Sequence, residues 1–198
     1  MYRCRRLPAA REHARSLGYR GAQFPWQSSV TGRETTPCTA FDVVELQGPT
    51  RRFEPQHHVT ASIALAVDSY WRVTGDEEFY LQFGAQMLVE TAQFWASRVE
   101  YDRRRKKYVI RDVRCVDEFH LGVDNDAYTN YVAAENLRLG IRAAGELKDH
   151  DAERFRRLCR KVGLTQKQIK QWDDIQANMY LGLDEATGLI EQFDGYFD

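Results

Sequence analysis

Apolar positions recur at helical spacing along most of the chain. Leu7, Ala10, Ala14 and Leu17 fall three or four apart, with Gly18 where a helix end wants a residue tolerant of positive φ, so the first ~17 residues predict a helix. Ile63, Ala64, Val67, Tyr70 and Trp71 make a second stripe, ended by Gly75, after which Asp76 is placed to cap the next helix. That helix carries the strongest pattern: Leu81, Ala85, Leu88, Ala92 and Trp95 follow the period of one buried face, and a second row, Phe79, Phe83 and Met87, widens it. Helical spacing returns at Ala133, Leu137, Ile141, Ala144 and Leu147, at Ala152, Phe155, Cys159 and Val162, and at Ile169, Trp172, Ile175 and Met179. Thr165 and Gln168 stand at capping-box spacing before this last run. Between Val99 and Val113 the pattern becomes Tyr101-Asp-Arg-Arg-Arg-Lys-Lys-Tyr108-Val-Ile110, a basic turn flanked by β-branched and aromatic residues, which predicts a short hairpin or extended loop.

These patterns predict an all-α fold of about six helices in consecutive pairs, with one short hairpin. Two segments, 19–56 and 113–127, show no clear periodicity, and loops longer than ~12–15 residues in a compact domain are usually functional or disordered. Both are too aromatic for disordered linkers, which makes them the places to look for chemistry.

Composition narrows the partners. A chain of 198 residues with 43% hydrophobic content is enough for one core. Twenty-eight Lys plus Arg against 29 Asp plus Glu give a net charge of −1, so neither nucleic acid nor an anionic membrane is an expected partner. The longest uncharged apolar stretch, 55–67, falls short of the ~20 residues of a spanning helix. Met1 to Ser16 has five arginines and no apolar run, unlike a secretory signal. Cys4, Cys38, Cys115 and Cys159 form no CxxC pair, which fits structural thiols in a reducing cytoplasm. The Arg103–Lys107 run reads as a solvated hairpin tip, with an anion site as the alternative. No Gly-rich nucleotide fingerprint, P-loop or fixed-period repeat is present.

The second loop places Asp112, Asp117, Glu118, His120, Asp124, Asn125, Asp126 and Asn130 within 19 residues. Three readings compete. Carboxylates, Asn and His are plausible metal ligands, although the spacing matches neither an EF-hand nor an HExxH helix. Asp and Asn also cap helices, and one is expected to begin near Ala127. Finally, Glu118 between Asp117 and Phe119, with His120 beside them, is placed where partial desolvation would raise its pKa toward that of a general acid. The first loop, with Trp26, Gln27, Arg33 and Glu34, combines an aromatic platform with hydrogen-bonding groups, as in sugar binding; a Trp filling the core under a long loop is the alternative.

Longer runs carry a resemblance. Tyr2-Arg-Cys-Arg-Arg-Leu-Pro-Ala-Ala-Arg, Gly18-Tyr-Arg-Gly-Ala-Gln-Phe-Pro-Trp26, Gly32-Arg-Glu-Thr-Thr-Pro37, Thr74-Gly-Asp-Glu-Glu-Phe79, Glu90-Thr-Ala-Gln-Phe-Trp-Ala-Ser-Arg98, Asp117-Glu-Phe-His120, Val123-Asp-Asn-Asp-Ala-Tyr-Thr-Asn130 and Glu191-Gln-Phe-Asp-Gly-Tyr196 follow one another in unbroken order. Together they resemble glycoside hydrolase family 65, which contains maltose, trehalose, kojibiose and nigerose phosphorylases and some α-glucoside hydrolases. The Glu90 segment leans to the phosphorylase side.

The resemblance implies a fold and a chemistry. Residues 1–198 would be the central part of an (α/α)6-barrel catalytic domain, with an N-terminal β-sandwich and a C-terminal domain outside the chain. Such a part taken alone would expose apolar helix faces, associate, and lack useful activity. The general acid of the family falls on Glu118; Asp117, His120 and Asn125 would line the same pocket, and Trp26 would sit at the sugar-binding wall with Gln27 beside it, while Glu34 is counted with the substrate-binding residues from the first loop's hydrogen-bonding groups. The reaction implied is inverting phosphorolysis of an α-glucosyl disaccharide to β-glucose 1-phosphate, with inorganic phosphate as co-substrate and neither cofactor nor metal. An inverting hydrolase of the same family and a carbohydrate-binding descendant are the alternatives. Dimers are common in the resembled family, and a cytoplasmic location is expected. Members often carry Gly-Pro where Cys115-Val116 stand here, and Glu where Gln27 stands.

Overall fold

The computed structural model describes residues 1–35, 56–117 and 119–198, and the backbone of 39–41 and 49–52. Glu118 and Cys38 lie outside the described residues.

The N-terminal run divides into α1 (Tyr2–Arg5) and α2 (Leu7–Ser16), because the chain turns at Arg6 before Pro8 enters the first turn of α2. Leu7, Ala10 and Ala14 are buried as expected, whereas Leu17 caps α2 and is exposed. The first loop holds β1 (Thr39–Phe41) and β2 (Pro49–Arg52), an antiparallel pair that pairs Thr39 with Arg52 and Ala40 with Arg51. The expected all-α class holds in its coarser form: among the described residues the chain is mostly helical, with two two-stranded ribbons where one hairpin was expected.

Helix α3 (His58–Thr74) ends at Gly75, whose φ of 64° forms a left-handed cap, and Asp76 accepts a hydrogen bond from the Phe79 amide at 3.0 Å to open α4 (Glu77–Phe79). A π-helical turn, Tyr80–Gly84, then joins α4 to α5 (Ala85–Arg98). That turn rephases the helix. Tyr80 goes into the core, stacked on Trp71 at 4.7 Å and donating to Glu146, while Leu81 is left half-buried, contrary to the single face predicted. From Ala85 onward the predicted face holds, with Leu88, Ala92 and Trp95 fully buried.

The predicted hairpin forms from β3 (Glu100–Asp102) and β4 (Lys107–Val109). Its tip, 103–106, is exposed. Helix α6 (Ala127–His150) runs through the middle of the molecule, packing on α3 and α5 and then on α7 (Ala152–Val162) and α8 (Gln166–Ala177). Gly140 makes the close approach to α5 possible: a Cβ there would lie 2.4 Å from that of Ala92. The Thr165–Gln168 capping box opens α8 as predicted, and Trp172 and Ile175 are buried. Six of the described helices have ten or more residues.

Polar groups tie the layers together. Glu90, 1% exposed, binds Arg11 and Gln86 and, through its backbone carbonyl, the Ala22 amide, so α5 holds α2 and the start of the first loop. Asp68 on α3 pairs with Arg142 on α6. An apolar groove of about 630 Å³ between α1, α3 and α4 is lined by Tyr2, Ile63, Val67, Phe79 and Phe83, and none of the described candidate site residues lines it. Among the described residues, no helix is long and apolar enough to cross a membrane.

Candidate active site

Both long loops open at one end of the bundle, where α3 begins, α5 ends, α6 begins and α8 ends. His58 at the start of α3 packs edge-on against Tyr128 at the start of α6, 6.0 Å between centroids. Arg98 at the end of α5 donates to His57 Nδ1 at 3.3 Å and to the Arg111 carbonyl. The residues after α8 join the same end: the Tyr108 amide donates to the Asn178 carbonyl, and the Tyr180 amide to that of Tyr108, both at 2.9 Å.

The second loop is an excursion pinched at its base. Val113 and Val123 exchange two backbone hydrogen bonds of 3.0 Å, and the Cys115 amide donates to the His120 carbonyl at 2.9 Å. Beyond this pinch Asp117 is half-buried and Phe119 is 84% exposed. Oδ1 of Asp117 accepts from the Phe119 and His120 amides at 3.0 and 3.3 Å. Its Oδ2 meets His120 Nδ1 at 2.7 Å and the Gln192 side-chain amide at 2.6 Å. Burial pushes the Asp117 carboxyl up, but the hydrogen bonds from His120, Gln192 and the two amides together hold it below the ordinary carboxylate value. A carboxylate only accepts, so Nδ1 of His120 carries the hydrogen and Nε2 is left for a partner other than Asp117.

Asn125 and Asp126 turn inward. Asn125 is 1% exposed with φ of 59°, its Oδ1 accepting from the Ile110 amide and Asn130 and its Nδ2 donating to Asp194 at 2.9 Å. It braces the loop base rather than presenting its amide outward. Asp126 caps α6, taking the Thr129 amide at 2.8 Å, and also accepts the Cys115 thiol at 3.0 Å. Burial and that bond to Asp126 push the Cys115 thiol well up, so it acts as a neutral donor. Positive φ among the non-glycine described residues occurs at Lys106, Asp112 and Asn125, so the backbone at Cys115 has no need of the glycine common in the resembled family.

The first loop makes its own unit. Glu34 accepts from the amides of Trp26 and Thr35 at 3.0 Å and of Gln27 at 3.3 Å, so its carboxylate organises the turn that displays a half-buried Trp26 and an exposed Gln27. The Phe24 amide donates to Thr60 Oγ1 in the first turn of α3, which places this unit at the same end as the second loop. Among the described residues, no three or more His, Cys, Asp or Glu side chains gather as a cation cage.

Sequence reasoning gave no role to the segment 191–196. Besides Gln192, Asp194 receives Asn125 and pairs with Arg105 at 2.9 Å, while Phe193 and Tyr196 pack on the His120 ring at 4.9 and 6.4 Å. Its resemblance to the family was the one signal pointing to it. Arg105 thereby takes one cation of the basic hairpin tip into a structural pair.

A braced carboxylate–imidazole turn and an aromatic turn thus lie at one end of a helical domain. Residues 1–198 match the Glycosyl hydrolase family 65 central catalytic domain, and the chain belongs to that family. It is 43% identical over 200 residues to the kojibiose phosphorylase of Caldanaerobacter subterraneus subsp. tengcongensis, covering 100% of this chain and 26% of that protein. It is also 43% identical over 143 residues to the kojibiose hydrolase of Flavobacterium johnsoniae, covering 72% of this chain and 19% of that one. A solved structure described as "Putative kojibiose phosphorylase from human microbiome" superposes with a TM-score of 0.80 at 28% identity, over 99% of this chain and 25% of that one. The chain thus spans about a quarter of the length of the curated phosphorylases it matches, 26% for the Caldanaerobacter enzyme.

Proposed function

We propose that the protein carrying this chain is an inverting phosphorylase of an α-glucosyl disaccharide of the kojibiose, maltose, nigerose or trehalose type. Residues 1–198 are then the central part of an (α/α)6 barrel, a reading supported by the likeness over 99% of the chain to a solved relative. The observation that carries the function is the 43% identity to a kojibiose phosphorylase over 100% of the chain.

In this mechanism Glu118, protonated, donates to the bridging oxygen of the α-glucoside as an oxocarbenium-like transition state develops. Phosphate attacks C1 from the opposite face, so the C1–oxygen bond to the leaving sugar breaks as the C1–phosphate oxygen bond forms. The products are β-glucose 1-phosphate and the freed sugar. Phosphate is already an anion and needs no catalytic base, so one carboxylic acid suffices. Asp117 and His120 hold the turn that carries Glu118, and Asn125 braces its base. Trp26 and Gln27 form the sugar-binding wall, with Glu34 fixing their turn.

A second reading, inverting hydrolysis, is favoured by the 43% identity to a kojibiose hydrolase. It requires a second carboxylate about 6.5–9.5 Å from the acid to activate water. The test uses the complete protein with kojibiose, maltose, nigerose and trehalose, with and without phosphate, beside a Glu118→Gln control. Phosphate-dependent glucose 1-phosphate that falls by about 10²–10⁴ in the control is the expected result. Two glucose molecules per disaccharide without phosphate would replace it with the hydrolase reading.

A further inference from the structure

We propose that Gln192 is a positioning residue: its side-chain amide, held by a segment 75 residues away in sequence, fixes the Asp117 carboxylate in the rotamer that grips the His120 imidazole at Nδ1. Nε2 is then the nitrogen presented at the site. The inference rests on the preceding reading of this turn as the one carrying the catalytic acid.

Asp117 accepts four hydrogen bonds, three of which come from residues 119 and 120 of its own turn. Those three move with the turn and cannot fix it against the rest of the domain. The Gln192 amide, 2.6 Å from Oδ2, is the fourth, and it comes from outside. Its oxygen-bearing end cannot substitute, since a carboxylate offers no hydrogen to it.

The donor is itself clamped. The Gln192 carbonyl accepts from the Ala127 amide at 2.8 Å, at the first turn of α6, and the Asp194 amide donates to the Asp124 carbonyl at 2.9 Å. The Asp194 carboxylate meets Asn125 and Arg105, each at 2.9 Å. From this clamped strap Phe193 sets one face of the His120 ring, with centroids 4.9 Å apart, and Tyr196 meets it edge-on. The strap therefore determines both the nitrogen by which the imidazole is held and the plane in which it lies. Burial of the strap on α6 alone would require neither an amide at 192 nor its aim at Asp117.

The experiment compares Gln192→Ala and Gln192→Glu in the complete protein. Glu is nearly isosteric with Gln, so it keeps the packing of the strap while replacing the donor with a second acceptor. Both variants are expected to lower kcat about ten-fold or more with KM for the disaccharide within about two-fold, as a small misplacement of a catalytic turn does. A second readout needs no turnover: deuterium exchange at C2 of the His120 imidazole, resolved by mass spectrometry, is expected to change about three-fold or more in either direction as the ring loses its fixed setting. A kcat for Gln192→Glu within two-fold of the unaltered protein, or an unchanged His120 exchange rate, overturns the proposal. If the unaltered protein turns over none of the four sugars, it is the phosphorylase reading that fails, and the His120 exchange still decides the role of Gln192.

Discussion

The two ends of the helical bundle are built by different rules. At one end α3 passes to α4 through Gly75 and Asp76, and α6 passes to α7 through Asp151. Each junction closes with bonds to residues three or four positions away: Gly75 to Trp71, Asp76 to Phe79, Asp151 to Leu147 and Arg154. At the other end, Asp117 is joined to Gln192 across 75 residues, Asn125 to Asp194 across 69, and Ile110 to Asn125 across 15. Local caps stop helices at little cost in loop length. Non-local bonds hold a loop open in one shape, as a site must be held if its groups are to meet a substrate in a fixed geometry.

Substitutions can break this contrast. The largest stability effect is expected for Asn125→Ala, which strands the buried Ile110 amide, removes the bond to Asp194 and puts an alanine at φ of 59°, costing roughly 2–4 kcal/mol. Thermal unfolding of the complete protein measures it, and a cost under about 0.5 kcal/mol would mean the brace is not structural. Gly75→Ala tests the plain end. No atom lies within 4 Å of the added Cβ, so only left-handed strain remains, about 1 kcal/mol, with activity unchanged.

The smallest effect across the neutral range concerns His57 at the site end. Burial, followed by the charges of Arg98, His13 and His58, holds its imidazole well below the usual value, and its Nδ1 accepts from Arg98. The unfolded chain therefore takes up a proton near the ordinary imidazole pKa of about 6.5 that the folded chain refuses. Stability is full above that pH and declines as pH falls through it, and His57→Gln should flatten the slope of melting temperature between pH 7 and 5.5. An unchanged slope would place the titrating group elsewhere.

The same contrast explains what the sequence made readable. Gly75 with Asp76, the Thr165–Gln168 capping box and the 100–109 hairpin are local devices whose residues declare them within a few positions. The long helices followed from periodicity alone. The π-helical turn at Tyr80–Gly84 did not, because what draws Tyr80 inward is Trp71 on α3 and Glu146 on α6, neither visible in the 77–98 pattern. The break at Arg6 was missed for a related reason: the apolar spacing continues through it.

In the candidate site, residue types marked out the two long loops but not the bonds that each residue makes within them. Asn125 was placed with the pocket residues by the resemblance, and its buried amide serves Ile110, Asn130 and Asp194. Glu34 was grouped with sugar-binding residues, and its carboxylate is occupied by the backbone of its own turn. Gln192 carries no local mark at all, since its partner is far away in sequence.

The central proposal is that the complete protein carrying this chain transfers a glucosyl group to phosphate with inversion, and the anomeric configuration of the first product tests it most directly. The complete protein, given kojibiose and phosphate, should release glucose 1-phosphate whose C1 proton coupling, read by NMR before mutarotation of the freed sugar obscures the spectrum, marks the β anomer. Release of the α anomer, or of free glucose alone at the same rate with and without phosphate, would contradict it.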